Sequence, residues 1–346
     1  MAYRVRIENS SVEFEAEQGE PLLDAALRCG VELPFDCQCG GCGTCRVQVR
    51  RGDITYDLPP MALTAEEEAA GFALTCQACA ASDLVIRLDD ALAASPAEAC
   101  GNHSLRLREL APLCHDVMRL VLEVESGEAL AYRAGQYLDV LLDGSERRSF
   151  SFASAPERGV IDLHVRRVPG GRFSQYLFEQ AKPGDILQIE APQGGFYLRE
   201  ESERPLLMVA GGTGLAPIKS LIERVIYSGV QRPVYLYWGV RSRRDLYLDI
   251  EALGWAAKLA QFRYVPVLSE PVGNDGWSGR VGFVHQAAAA DLADLSGFDA
   301  YLCGPPAMIS AAKGAFAANG LPIERIYADA FNFAHELTTA PTRQTA

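Results

Sequence analysis

The chain has 346 residues, 49% of them hydrophobic and 22% charged, which suits two or three domains of about 100–150 residues and excludes disordered or fibrous architectures. A formal net charge of −13 excludes the basic footprint that nucleic acid demands. No run approaches about 18 uninterrupted apolar residues, and Met1-Ala2-Tyr3-Arg4-Val5 leads straight into alternation rather than an apolar signal block, so a cytoplasmic protein with no membrane span is expected.

Residues 3–7 and 12–16 alternate apolar and polar side chains across the polar turn Glu8-Asn9-Ser10-Ser11, the pattern of a hairpin. Pro21 to Gly30 has a Pro at its start, helical apolar spacing and a Gly stop, which predicts a short helix. This N-terminal stretch is acidic. Residues 1–90 hold 16 Asp+Glu against 7 Arg, most of the chain's excess, which fits steering towards a basic patch on a partner.

Ten cysteines without a secretory signal point to metal or redox chemistry rather than to disulfides. Cys37, Cys42 and Cys45 are spaced C-x4-C-x2-C, and Cys76 follows after 30 further residues. That is the plant-type ferredoxin arrangement, in which four thiolates hold a 2Fe-2S cluster. Gly40, Gly41 and Gly43 suit it, because glycine lets backbone N–H groups approach the sulfides. A zinc-bearing adaptor built on Cys42-x2-Cys45 and Cys76-x2-Cys79 is the competing reading. It leaves Cys37 idle and the glycines unexplained, and its gap exceeds the usual span of about 15–20 residues.

From Asp89 to Gly101 periodicity is lost, as in a linker. From 104 to about 200 short alternating runs recur between Gly and Pro turns (105–110, 117–124, 137–142, 161–168 and 186–190), predicting a small β-barrel. From 204 on, buried runs at 206–210, 234–238 and 300–303 alternate with helical stretches, the signature of a parallel α/β sheet. The expected domains are 1–97, 102–201 and 202–335.

Three further segments carry chemistry. Arg148-Ser149-Phe150-Ser151 combines a phosphate-matching guanidinium, an aromatic face and a hydroxyl. His164-Val165-Arg166 and Pro169-Gly170-Gly171-Arg172-Phe173-Ser174 follow it. Gly211-Gly212-Thr213-Gly214-Leu215-Ala216-Pro217 lies between a buried run and a helical stretch, the context of a phosphate-cradling turn, with Pro217 where a dinucleotide fingerprint has its last glycine. Cys303-Gly304-Pro305-Pro306 again follows a strand-like run.

With these motifs in this order, the chain resembles the ferredoxin-fused members of the ferredoxin-NAD(P) reductase family, which serve multicomponent oxygenases. It is also similar to the CDP-6-deoxyhexose reductases of deoxysugar biosynthesis. The resemblance implies a β-grasp ferredoxin domain, a six-stranded antiparallel FAD barrel and an α/β nicotinamide domain. It implies electron flow from NADH through FAD to 2Fe-2S, and then to a terminal oxygenase or its ferredoxin, or to a sugar dehydratase. By it, Arg148 holds an FAD phosphate, Phe150 stacks on the isoalloxazine and Ser151 lies near the nitrogen that takes the hydride. His164, Val165, Arg166 and Gly170 belong to the flavin segment, Gly171 and Ser174 meet the pyrophosphate, and Phe331 lies over the flavin. Gly212, Thr213, Gly214, Pro217, Arg241, Ser269 and Glu270 meet the coenzyme, and Cys303, with Gly304 and Pro305, lies beside the nicotinamide. Glu270 directly after Ser269 favours NADH, because a carboxylate there repels a 2′-phosphate. Arg243 and Arg244 stand near enough in sequence to supply a substitute clamp.

Overall fold

The computed structural model describes residues 2–331 except 9, 32, 36–39, 41–42, 58–59, 61, 89–99, 128, 143–145 and 274–275. Contact density divides the chain into two units, the first built on Met1–Arg87 with Gly304–Ala311 and the residues following Tyr327, the second on Leu88–Cys303 and Ala312–Tyr327.

The N-terminal unit opens with the expected hairpin, Ala2–Ile7 against Glu13–Glu17, in a register that sets Val5 opposite Phe14. Val5, Ile7, Phe14 and Ala16 face inward and the charged residues between them face out, the period-two outcome of the alternation. The mixed sheet runs in the order Glu13–Glu17, Ala2–Ile7, Leu84–Leu88, Arg46–Arg51, Phe72–Leu74. Helix Leu22–Arg28 starts after Pro21 and buries Leu22, Leu23, Ala25 and Ala26. A second helix, Ala65–Ala69, lies outside the sequence expectation although Thr64-x-x-Glu67 forms a capping box at its start. Glu67 is buried and ion-paired with Arg46 at 2.8 Å.

In the second unit, six antiparallel strands form a sheet ordered Arg147–Ser151, Tyr137–Leu141, Ile186–Gln193, Gly101–Pro112, Val117–Val124, Ile161–Arg166. A bridge between Phe152 and Leu163 joins its two edges and closes the barrel. Leu105, Leu120, Leu138, Phe152 and Ile189 fill the interior. The first strand is longer than its apolar run, because barrel pairing extends it to Gly101 and to Pro112. The last ends at Arg166, two residues before its predicted end.

The other sheet of this part of the chain is ordered Arg280–Val281, Phe262–Leu268, Val234–Val240, Leu206–Gly211, Asp299–Gly304, Ile326–Ala330. Its central strands pair in parallel and are buried on both faces, as their unbroken apolar runs require. Phe262–Leu268 carries Arg263 and Pro266, which break its apolar run, so pairing with Val234–Val240 rather than local pattern makes it a strand.

Candidate redox site

Cys45 ends the turn that precedes strand Arg46–Arg51, and Cys76 lies in the turn after strand Phe72–Leu74. The antiparallel register sets Arg46 opposite Leu74, and Thr75 N donates to Cys45 O at 3.1 Å, which carries the two cysteines to one place. Their Sγ atoms stand 3.3 Å apart and both side chains are buried. Tetrahedral thiolates at about 2.3 Å from one metal stand roughly 3.8 Å apart, so the pair is close enough to share one iron after a small adjustment. Gly40 has φ +73°, and a Cβ there would lie 2.0 Å from Gln77 Oε1. A side chain at position 40 would be strained in that backbone conformation and would displace the Gln77 amide. Cys37 and Cys42 lie outside the described residues. Cys79, the zinc reading's fourth ligand, belongs to a short strand paired with Ile54–Thr55, and its Sγ stands 3.9 Å from Gln77 O.

On the barrel, alternation along Arg147–Ser151 puts Arg148 and Phe150 on one face. Arg148 pairs with Glu146, whose other oxygen accepts from Arg172 Nη1 at 2.7 Å. An anionic oxygen pair thus stands between two guanidinium groups, as a phosphate can. The Phe150 ring lies 5.2 Å from that of Phe173, and Ser151 is buried. Helix Arg172–Glu179 begins at Gly171 with no side chain capping it, after Gly170 at φ +73°. The amino end of such a helix is anion-receptive. Ser174 Oγ is turned inward, accepting from Val168 N at 3.1 Å and standing 3.1 Å from Gly171 O, so it braces the turn and leaves the backbone to face an anion.

In the parallel sheet, strand Leu206–Gly211 runs into a single 3-10 turn, Gly212–Gly214, and then into helix Leu215–Ser228, with Pro217 buried in its first turn. Gly212 has φ +57°, and Trp238 Nε1 donates to its carbonyl at 2.9 Å. Arg166, assigned to the flavin segment by resemblance, lies against this turn: a Cβ on Gly212 would meet Arg166 Nη1 at 3.1 Å. Asp116 Oδ2 stands 3.3 Å from Arg166 Nε. Cys303 is fully buried at the end of its strand, in register with Ala210, and Pro305 beyond it is exposed. Phe331 N donates to Gly304 O at 3.0 Å. Ser269 N donates to Val240 O and Glu270 N to Arg241 O, which gathers Arg241, Ser269 and Glu270, all exposed, at the carboxyl end of the sheet.

Tyr247 lies outside the sequence expectation. Its ring stands edge-on to both His164, at 5.5 Å, and Trp238, at 5.1 Å, and its hydroxyl is 3.4 Å from His164 Nδ1. It joins the barrel's flavin segment to the glycine turn. Burial, and then the nearby Lys219 and Arg119, hold the His164 imidazole well below its usual pKa, so it is neutral. Burial likewise holds the Tyr247 hydroxyl protonated. Tyr247 sits in an aperiodic stretch 83 residues from His164 and carries no local signal.

Three family models match in succession: a 2Fe-2S iron-sulfur cluster binding domain over residues 5–81, an oxidoreductase FAD-binding domain over 104–197 and an oxidoreductase NAD-binding domain over 208–314. The chain is 38% identical over 333 residues to a CDP-6-deoxy-L-threo-D-glycero-4-hexulose-3-dehydrase reductase of Yersinia pestis, covering 96% of this chain and 99% of the relative. It is 36% identical over 343 residues to terephthalate 1,2-dioxygenase reductase component 1 of a Comamonas species, covering 99% of each. Among solved structures it is similar to a cytochrome P450 reductase of Amycolatopsis, with TM-score 0.68 and 34% identity over 95% of this chain and 98% of the other. It also resembles the ferredoxin reductase in carbazole 1,9a-dioxygenase, with TM-score 0.67 and 28% identity over 96% and 99% of the two chains. The chain therefore belongs to the ferredoxin-fused flavin reductases, oxidoreductases that join a 2Fe-2S cluster domain to an FAD-binding and an NAD-binding domain.

Proposed function

We propose that this reductase takes electrons from NADH and hands them, through FAD and the 2Fe-2S cluster, to a separate terminal oxygenase or to the ferredoxin that serves one. The observation that carries the reading is the junction at which Arg166 and His164 of the flavin segment meet Gly212 and Tyr247 of the coenzyme side, because direct hydride transfer needs both cofactors in one cleft. Bound FAD accepts electrons in pairs from a nicotinamide and releases them singly to an iron–sulfur centre.

In this reading Arg148 and the amino end of helix Arg172–Glu179 neutralise the FAD phosphates, with Gly170, Gly171 and Ser174 shaping that turn. Phe150 stacks on the ring, Ser151 hydrogen-bonds its edge, and neutral His164 with Val165 lines its bed. Gly212, Thr213, Gly214 and Pro217 form the pyrophosphate turn, while Arg166 supplies a positive charge beside it. Arg241, Ser269 and Glu270 receive the adenosine, and Cys303, Gly304 and Pro305 border the nicotinamide. Cys37, Cys42, Cys45 and Cys76 hold the cluster. Domain boundaries follow at 1–97, 102–201 and 202–335. Among the described residues no helix is long and apolar enough to cross a membrane. The metal-ligand spacing of Cys37, Cys42, Cys45 and Cys76 supports a cytoplasmic setting, where thiolates stay reduced.

The terephthalate and carbazole relatives are components of dioxygenase systems by name, which supports an oxygenase acceptor. The 38% identity to the Yersinia dehydrase reductase favours a sugar dehydratase as the second reading. Iron, sulfide and flavin content of the purified protein, followed by anaerobic addition of NADH, tests the shared part. Bleaching of the flavin and a paramagnetic signal from the reduced cluster are expected, and an iron-free protein that NADH leaves unchanged overturns it. Turnover after mixing with an oxygenase component or with a sugar dehydratase separates the two acceptors.

A further inference from the structure

Helix Leu215–Ser228 is buried along most of its length yet carries Lys219, Ser220 and Glu223 inward, at 2%, 0% and 6% exposure. All three bond to consecutive residues of the loop that follows the flavin strand. Lys219 Nζ donates to Ala153 O at 2.8 Å, Ser220 Oγ donates to Ser154 O at 2.7 Å, and Ala155 N donates to Glu223 Oε2 at 2.9 Å. Lys219 also donates to Glu223 Oε1 at 2.7 Å, and that oxygen accepts from Arg158 as well. From the barrel side, Tyr132 and Val160 hold Ser154, and Arg119 holds Asp162, which stands 3.9 Å from Lys219.

Burying this ion pair costs free energy, and a well-packed apolar contact would join two domains at less cost. Hydrogen bonds of fixed length add what apolar packing lacks, namely one register. The helix begins at the Gly212–Gly214 turn, and Lys219 lies about 7.5 Å along its axis from Gly214. The loop begins two residues after Ser151. The segments proposed to hold hydride donor and acceptor are thus pinned to each other by a short rigid path on either side.

We propose that Lys219, Ser220 and Glu223 form a positioning clamp that sets the distance between the flavin strand and the nicotinamide turn. The inference rests on the reading that NADH reduces FAD in this cleft. The three residues touch neither cofactor in this scheme and act through the loop and the helix.

The test uses the full-length protein with its cofactors and the variants Lys219→Met and Ser220→Ala. Bound FAD and the NADH dissociation constant should stay within about threefold of the unaltered protein, because neither residue contacts a ligand. The rate of flavin reduction by NADH should fall about ten- to hundredfold in Lys219→Met and less in Ser220→Ala, with a larger isotope effect from deuterated NADH. Independently of activity, hydrogen exchange at backbone amides 153–155 should quicken, while strand Leu206–Gly211 keeps its protection. Should Lys219→Met fail to fold, Ser220→Ala decides alone, since it removes one hydroxyl. Unchanged reduction rates, or rates that fall only with lost FAD, overturn the clamp. An unaltered protein that NADH does not reduce overturns the reductase reading and the clamp together, whereas a reactive parent with equally reactive variants overturns the clamp alone.

Discussion

Cys45 and Cys76, separated by 31 positions in the chain, bring their sulfur atoms to 3.3 Å in the N-terminal core. The antiparallel register of Arg46–Arg51 with Phe72–Leu74 places them, so the separation follows from backbone pairing rather than from the cysteines themselves. Replacing Cys76 by Ser should therefore leave the fold intact while removing a cluster ligand. Iron content should fall to background and reduction of cytochrome c should drop at least about tenfold, while NADH-to-ferricyanide activity through FAD persists. Unchanged iron in the purified variant would refute the ligand assignment.

Glu270 is exposed beside Arg241 at the carboxyl end of the parallel sheet, held there by its own N–H on the Arg241 carbonyl at 2.8 Å. A carboxylate at the adenosine end repels a 2′-phosphate and accepts from a free 2′-hydroxyl. The unaltered protein should prefer NADH, and Glu270→Arg should raise kcat/KM for NADPH relative to NADH by about tenfold. Equal kcat/KM values for the two coenzymes in the unaltered protein would contradict this, and would point to Arg243 or Arg244 as an alternative phosphate clamp.

His164 is buried and neutral in the folded protein but titrates near 6.5 once unfolded. Because its folded pKa is lowered, the unfolded chain binds the extra proton as pH drops through about 6.5, and stability is lost on acidification from there towards the folded value. His285, also lowered by burial, acts in the same direction. The melting temperature should fall between about pH 7 and pH 5.5, and His164→Gln should make that fall shallower at fixed FAD concentration. Equal slopes in the two proteins would show that His164 does not carry the dependence.

Much of this architecture is visible in local patterns. The hairpin Ala2–Ile7 with Glu13–Glu17, the barrel strand Val117–Val124 and the turn at Gly212–Gly214 follow from alternation, apolar runs and glycine placement, each within a dozen residues. Helix Ala65–Ala69 has a local sign in the capping pair Thr64 and Glu67, but so short a helix shows no apolar period. Strand Phe262–Leu268 had none, since Arg263 and Pro266 interrupt its apolar character.

The ligand spacing of the cysteines and the order of the flavin and coenzyme motifs are written in short stretches of sequence, and the family resemblance they carry points to three modules and their cofactors. Tertiary structure alone decided that Arg166 lies against Gly212, that Tyr247 reaches His164, and that Lys219 seizes the carbonyl of Ala153. Each of these joins segments dozens of residues apart, and its geometry comes from how a closed barrel packs against a parallel sheet. Side-chain periodicity records which face of an element is buried, but not which partner buries it.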